Sequence, residues 1–74
     1  MTLQEMRKSR GLTQKELADK SGITLKNIQH YEGGYRDLDL AKLETISKLA
    51  IALDCRIPEI LNDNELKKLY SRAK

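Results

Sequence analysis

The sequence predicts an all-α domain, and three observations lead to this fold class. Apolar residues recur at three- and four-residue spacing along most of the chain, as the buried face of a helix requires. Two T-x-x-E capping boxes, Thr2 with Glu5 and Thr13 with Glu16, mark helix starts. No segment alternates apolar and polar residues with the period of two that a half-buried strand shows. We therefore expect helices joined by short turns.

Length and composition indicate a small single domain. At 74 residues the chain is near the lower end of what folds without disulfides or metals. Its one cysteine, Cys55, and one histidine, His30, provide neither an internal disulfide nor a set of metal ligands. No apolar run approaches the roughly 18 residues that span a bilayer, and the N-terminal stretch is charged where a signal peptide is apolar. We expect a soluble, cytoplasmic protein without cofactors or membrane contact.

The first three predicted helices follow one another closely. Helix 1 covers about Thr2 to Ser9, and helix 2 runs from Thr13 to about Ser21. Gly22 can adopt the left-handed conformation that ends a helix, and Thr24 suits the N-cap of a helix 3 that ends near Glu32. Apolar positions on both sides of this tight turn predict one shared core, made by Leu17, Ala18, Ile23, Ile28 and Tyr31.

A loop and a longer helix come next. The paired glycines Gly33 and Gly34 open an exposed loop, because glycine disfavours helix interiors and supplies positive φ. Asp39 suits the N-cap of helix 4, the longest periodic segment, over about Leu40 to Leu53. Asp54 then takes the place of a left-handed C-cap.

The last part of the chain contains two shorter apolar segments. Pro58 suits the first turn of a short helix 5 over Pro58 to Leu61. Residues 65–73 carry Leu66, Leu69 and Tyr70 on one side and predict a final helix. We divide the chain into a domain of residues 1–61 and a basic helical tail of residues 62–74.

Charge is unevenly distributed along the chain. Residues 1–36 hold seven basic and four acidic residues, residues 37–63 hold three and six, and residues 64–74 hold four and one. Basic segments around an acidic centre favour contact with a polyanion on one side. Ordinary solvated helix surfaces give similar counts, so charge alone leaves both interpretations open.

Helix 3 carries a polar stripe separate from its apolar positions. Lys26, Gln29, His30 and Gly33 fall at i, i+3, i+4 and i+7, which places them on one face of a helix. A histidine on an exposed face is most often a surface residue without a special role. The stripe as a whole is nevertheless the best candidate for a binding surface.

Several segments together carry a family resemblance. They are Leu12-Thr-Gln-Lys-Glu-Leu-Ala, Gly22-Ile-Thr, and Ile28-x-x-Tyr31-Glu32-x-Gly34, followed by Leu43 to Leu53 and Ile57 to Leu61. In this order and spacing they closely resemble the Cro and phage-repressor type helix-turn-helix family, also called the xenobiotic-response-element (XRE) family. The resemblance covers about residues 2 to 61. It implies a five-helix, lambda-repressor-like domain whose third helix enters the DNA major groove, and in many members a dimer on a palindromic operator.

The resemblance also implies roles for individual residues. Gln14 corresponds to a phosphate contact at the start of helix 2, where free backbone N–H groups attract anions. Lys26 and Gln29 correspond to base-facing positions suited to guanine and adenine, and Leu25 to one suited to a thymine methyl. Arg7 and Glu32 match a structural ion pair. The other implied DNA contacts are Thr24, Asn27 and His30 on helix 3, and Gly33, Gly34, Tyr35 and Arg36 at its end.

The sequence thus predicts a sequence-specific regulator of transcription, chiefly a repressor that binds double-stranded DNA as a homodimer. The dimer is inferred from the surplus of apolar residues in helix 5 and the tail. The alternative is a helix-turn-helix module, an antitoxin or accessory factor, whose main partner is a protein docked on the tail. An enzyme is least supported, because the sequence has no Ser/His/Asp or Cys/His arrangement and no glycine-rich phosphate loop after a strand.

Overall fold

The computed structural model describes residues 2–61, and these residues fold as helices and turns without a strand. Four α-helices are present: α1 (Leu3–Ser9), α2 (Gln14–Ser21), α3 (Leu25–Gly33) and α4 (Leu43–Ala52). Two 3₁₀ helices, Leu38–Leu40 and Ile57–Ile60, complete this part of the chain. The all-α class is confirmed. The predicted tail of residues 62–74, with its helix, lies outside the described residues.

The predicted starts of the first three helices are confirmed. Thr2 and Thr13 each form a complete capping box with the glutamate three residues later. The Thr24 hydroxyl accepts the backbone N–H of Asn27 at 3.2 Å. Because each cap satisfies backbone N–H groups that the first helical turn leaves unpaired, these short helices have well-defined ends.

The turn between α2 and α3 is closed by local hydrogen bonds. Gly22 has φ 75°, in the left-handed region, and donates its N–H to the Ala18 carbonyl at 2.9 Å. The buried Ser21 hydroxyl accepts the Ile23 N–H at 3.1 Å. The turn therefore sets the direction in which α3 leaves α2.

The core joins the four α-helices and both 3₁₀ helices. Leu17 and Ala18 of α2 and Ile28 of α3 are buried, with Ile23 and Tyr31 partly buried against them, so the predicted shared core is confirmed. The largest fully buried side chains are Leu17, Ile28, Ile46, Leu49, Leu53, Ile60 and Leu61. α4 packs against α2, and α3 packs against α2 and α1.

The predicted start of helix 4 at Leu40 is wrong by three residues. The Asp37 carboxylate accepts the Asp39 N–H at 2.9 Å and closes the 3₁₀ helix Leu38–Leu40, so Asp39 is not the N-cap of α4. Aspartate stabilises such local turns in competition with an α-helix. Leu38 is buried in this turn, while Leu40 is 84% exposed although it fits the helical period. The predicted left-handed end is confirmed, since Asp54 has φ 51°.

The predicted helix 5 is a 3₁₀ helix, Ile57–Ile60, and not an α-helix. A segment of four residues favours this form, because i→i+3 hydrogen bonds close within one turn. Ile60 and Leu61 are fully buried in the core of their own domain. The apolar surplus that suggested a dimer surface in helix 5 is therefore used within the domain.

Arg10 links the end of α1 to the end of α4. Its guanidinium donates to the backbone carbonyls of Leu53 at 2.7 Å and Asp54 at 3.1 Å. These carbonyls lie where a helix leaves acceptors unpaired and where its dipole favours a cation. In the part of the chain that the structure describes, no helix has the length and apolarity needed to cross a membrane.

Replacing Gly22 tests how strongly the turn depends on its left-handed backbone. Gly22→Ala should lower the free energy of unfolding by about 1 to 2 kcal/mol, because a Cβ strains this conformation. No atom lies within 4 Å of that Cβ, so the loss reflects backbone strain and not a clash. Gly22→Asn is the control and should lose clearly less, since asparagine tolerates the left-handed region. Urea unfolding measures both; equal losses would contradict a backbone origin.

Candidate nucleic-acid interface

One face of α3 is exposed because the other face is anchored in the core. Ile28 is fully buried and Tyr31 is partly buried. Lys26 and Gln29, which flank Ile28 in sequence, are exposed on the opposite side, together with Leu25 at 37% exposure. A cation, an amide and an apolar side chain are therefore presented side by side from one short helix.

The predicted site residues fall into two groups at the two ends of α3. At the N-terminal end Thr24, Leu25 and Lys26 are exposed and Asn27 is partly buried. At the C-terminal end His30 is partly buried, and Gly33, Gly34, Tyr35 and Arg36 are exposed. Gln29 lies between the groups. Gln14, from the start of α2, is partly buried and joins the C-terminal group through Glu32.

Glu32 is the centre of a hydrogen-bonded network between three helices. Arg7 of α1 donates from Nε to Glu32 Oε2 at 2.7 Å and from Nη2 to Oε1 at 2.9 Å, which is a bidentate ion pair. The side chains are only 9% and 3% exposed. The third guanidinium nitrogen, Nη1, donates to the Leu12 carbonyl at 2.8 Å. Hydrogen bonding to Glu32 raises the pKa of Arg7 against the opposing effect of burial, so the guanidinium stays charged.

Gln14 belongs to this network. Its amide nitrogen Nε2 donates to Glu32 Oε1 at 3.0 Å. Sequence reasoning assigned Gln14 to a phosphate only and missed this contact, because the partner lies 18 residues away and leaves no periodic signal. The contact fixes the Gln14 side chain at the N-terminus of α2, beside the C-terminal end of α3.

Tyr35 and His30 also form a contact that the sequence did not predict. Their ring centroids are 5.8 Å apart with the planes inclined by 54°. The His30 carbonyl accepts the backbone N–H groups of Tyr35 at 2.9 Å and Arg36 at 3.2 Å, which closes the chain around the end of α3. In the sequence, the only sign of this contact is that Tyr35 follows His30 by five positions, with two glycines between them. Such a spacing is a weak indication that two rings meet.

Lys15 is a second exposed cation near this face that the sequence analysis did not include. With Ile23, Thr24 and Leu25 it lines an open groove of about 430 Å³ along the α2–α3 turn. Its neighbour Glu16 is held by its capping box, where hydrogen bonding from the backbone and then the hydroxyl of Thr13 lowers the pKa of the carboxyl group. Glu16 therefore remains an anion on α2, and the groove itself is lined by one cation, Lys15, and one anion, Asp19.

Comparison with known proteins agrees with this geometry. The family model described as helix-turn-helix matches residues 3–60, which span α1 to the second 3₁₀ helix. The chain belongs to the XRE-type helix-turn-helix family. It is 36% identical over 66 residues to the HTH-type transcriptional regulator ImmR of Bacillus subtilis (strain 168), a match that covers 89% of this chain. The chain spans half the length of that curated relative. No solved structure matches the chain significantly.

Within this XRE-type domain, the Glu32 network predicts a large difference between two ion pairs. Glu32→Ala should lower the free energy of unfolding on the order of 3 kcal/mol, because it leaves the buried Arg7 charge unpaired. The control is Glu44→Ala, which removes an exposed pair in which Lys48 lies 3.8 Å from the carboxylate. That change should stay within about 0.5 kcal/mol. Chemical denaturation of both variants measures the difference, and similar small losses would show that the buried pair contributes little.

Proposed function

We propose that this protein is a sequence-specific regulator of transcription that places α3 in the major groove of double-stranded DNA. We further propose that it represses by occluding a palindromic operator as a homodimer. The observation that carries the proposal is the exposed Lys26–Gln29 face of α3, backed by the buried Ile28, in a helix-turn-helix domain. The HTH-type transcriptional regulator ImmR, to which the chain is similar, agrees with this function.

The side chains on this face match the hydrogen-bonding groups of base pairs. Lys26 can donate to guanine O6 and N7, and the Gln29 amide can both donate to N7 and accept from N6 of adenine. Leu25 supplies apolar contact for a thymine methyl. Because Leu25 has no hydrogen-bonding group and Gly33 no side chain, base readout depends mainly on Lys26, Gln29 and His30.

Contacts to the DNA backbone would come from the two sides of this stripe. An amide nitrogen carries two N–H donors, so the one that bonds Glu32 leaves another in Gln14 for a phosphate. The N-terminus of α2 adds backbone N–H groups and a favourable dipole. Beyond α3, Gly34, Tyr35 and Arg36 are exposed and follow one another along the chain, which suits contact with the sugar-phosphate backbone.

The proposed homodimer is supported by exposed apolar residues other than those of the predicted helix 5. Leu40, Leu43 and Ile51 are 84%, 56% and 78% exposed, and all three lie in or just before α4. Large apolar side chains left exposed on one element are candidates for a protein contact. A two-fold arrangement would place two α3 helices about 34 Å apart, in successive major grooves on one side of the DNA.

Selection of bound sequences from a random DNA pool tests the function directly. We expect the full chain to enrich one motif, and a palindrome with half-sites about 10 base pairs apart would support the dimer. A single half-site would support specific binding by a monomer and remove the homodimer. No enrichment would contradict sequence-specific binding and favour a module whose main partner is a protein.

Single substitutions on α3 should then distinguish recognition of bases from non-specific electrostatic attraction to DNA. Lys26→Ala and Gln29→Ala should each weaken binding to the selected motif by about 1 to 3 kcal/mol and relax the preference at one base position. Lys48→Ala on α4 removes the same charge as Lys26→Ala and should leave the base preference unchanged. Binding is measured at one fixed salt concentration on the selected motif and on scrambled DNA. Equal losses on both DNAs would contradict base readout.

A further inference from the structure

Gly33 and Tyr35 form an arrangement at the end of α3 that the fold itself does not require. Gly33 is the last residue of α3 and is absent from the residues with positive φ, so its backbone is open to any L-residue. Its neighbour Gly34 differs, since φ 84° places Gly34 in the left-handed region. Helix propensity favours alanine over glycine at the Gly33 position. Backbone conformation therefore explains Gly34 and leaves Gly33 unexplained.

The Tyr35 ring explains Gly33. A Cβ placed on Gly33 would lie 3.2 Å from Cδ2 and 3.3 Å from Cε2 of that ring. Carbon atoms in good contact are about 3.5 to 4.0 Å apart, so the ring would have to move away from an alanine. The ring therefore occupies part of the space that a side chain on Gly33 would need.

The same ring also contacts His30, one of the predicted readout residues. The two rings form a tilted pair at 5.8 Å, within the range of favourable aromatic contacts. Three backbone N–H groups, those of Gly34, Tyr35 and Arg36, donate to the His30 carbonyl and fix the backbone of Tyr35. Tyr35 is 83% exposed, and its ring lies next to Gly33 on one side and His30 on another.

We propose that Tyr35 is a positioning residue for His30, and that Gly33 is glycine because the Tyr35 ring occupies the space of its side chain. The ring reduces the range of imidazole orientations before DNA binds, which lowers the conformational entropy lost on binding. His30 then presents its ring nitrogens toward a base or phosphate acceptor. The inference rests on the proposed DNA-binding function, whereas the contact between the rings can be tested without DNA.

A double-mutant cycle tests the proposal on the DNA motif selected by the full chain. Gly33→Ala should weaken binding about two- to tenfold, the range that one aromatic contact contributes, and should leave the melting temperature unchanged or higher. In a Tyr35→Ala background the same change should have no further effect. Tyr35→Phe keeps the ring and removes only the hydroxyl, so it should lose clearly less binding than Tyr35→Ala.

Two binding results would overturn the proposal. A Gly33→Ala loss of the same size with and without Tyr35 would show that the added methyl obstructs the DNA directly. A loss in Tyr35→Phe equal to that in Tyr35→Ala would show that the hydroxyl contacts DNA and that the ring does not act through His30.

The contact between the two rings can be tested without DNA by measuring the NMR chemical shifts of the His30 imidazole protons. They should change in the same direction in Gly33→Ala and Tyr35→Ala and stay at wild-type values in Tyr35→Phe. Unchanged shifts in Tyr35→Ala would overturn the ring contact itself. If the shifts behave as expected while the wild type enriches no DNA motif, the proposed function fails, and the positioning of His30 for DNA fails with it.

Discussion

The position of α3 depends on one buried carboxylate. Glu32 lies at the C-terminal end of α3 and accepts hydrogen bonds from Arg7 of α1 and Gln14 of α2. A buried ion pair is costly to form because both charges lose water, and it persists only when its hydrogen bonds are well satisfied. Here the guanidinium also bonds the Leu12 carbonyl, which leads into α2. The network therefore fixes the relative placement of three short helices that a small core alone would hold weakly.

The two ends of α3 are held by different kinds of interaction. Its N-terminal end is fixed locally, by the Gly22 turn and the Thr24 cap. Its C-terminal end is fixed through Glu32, by residues 18 and 25 positions away in sequence. Between them, Ile28 sets the rotation of the helix by its complete burial. With both ends and the rotation fixed, Lys26 and Gln29 are held on the exposed side.

Local patterns in the sequence predicted those parts of the fold that depend on interactions between residues close together in the chain. The capping boxes at Thr2 and Thr13 and the Gly22 turn each involve residues within a few positions, so they can be read directly. The start of α4 was not predicted, because Leu40 fits the helical period, whereas the Asp37 carboxylate closes a 3₁₀ turn in which Leu38 is buried in place of Leu40. The positions of the candidate site residues followed from the family resemblance, whereas the bond from Gln14 to Glu32 required the folded chain.

The contacts that the sequence missed share one consequence for the candidate interface. Gln14 is bonded to Glu32, and His30 is in contact with Tyr35, so both side chains are positioned before any ligand arrives. Lys26 and Gln29 are exposed, and the structure assigns them no such contact among the described residues. Ordering a long side chain on binding costs about 0.5 to 1.5 kcal/mol. The C-terminal part of the α3 surface is thus pre-organised, and the contacts of Lys26 and Gln29 with a ligand must offset their own loss of freedom.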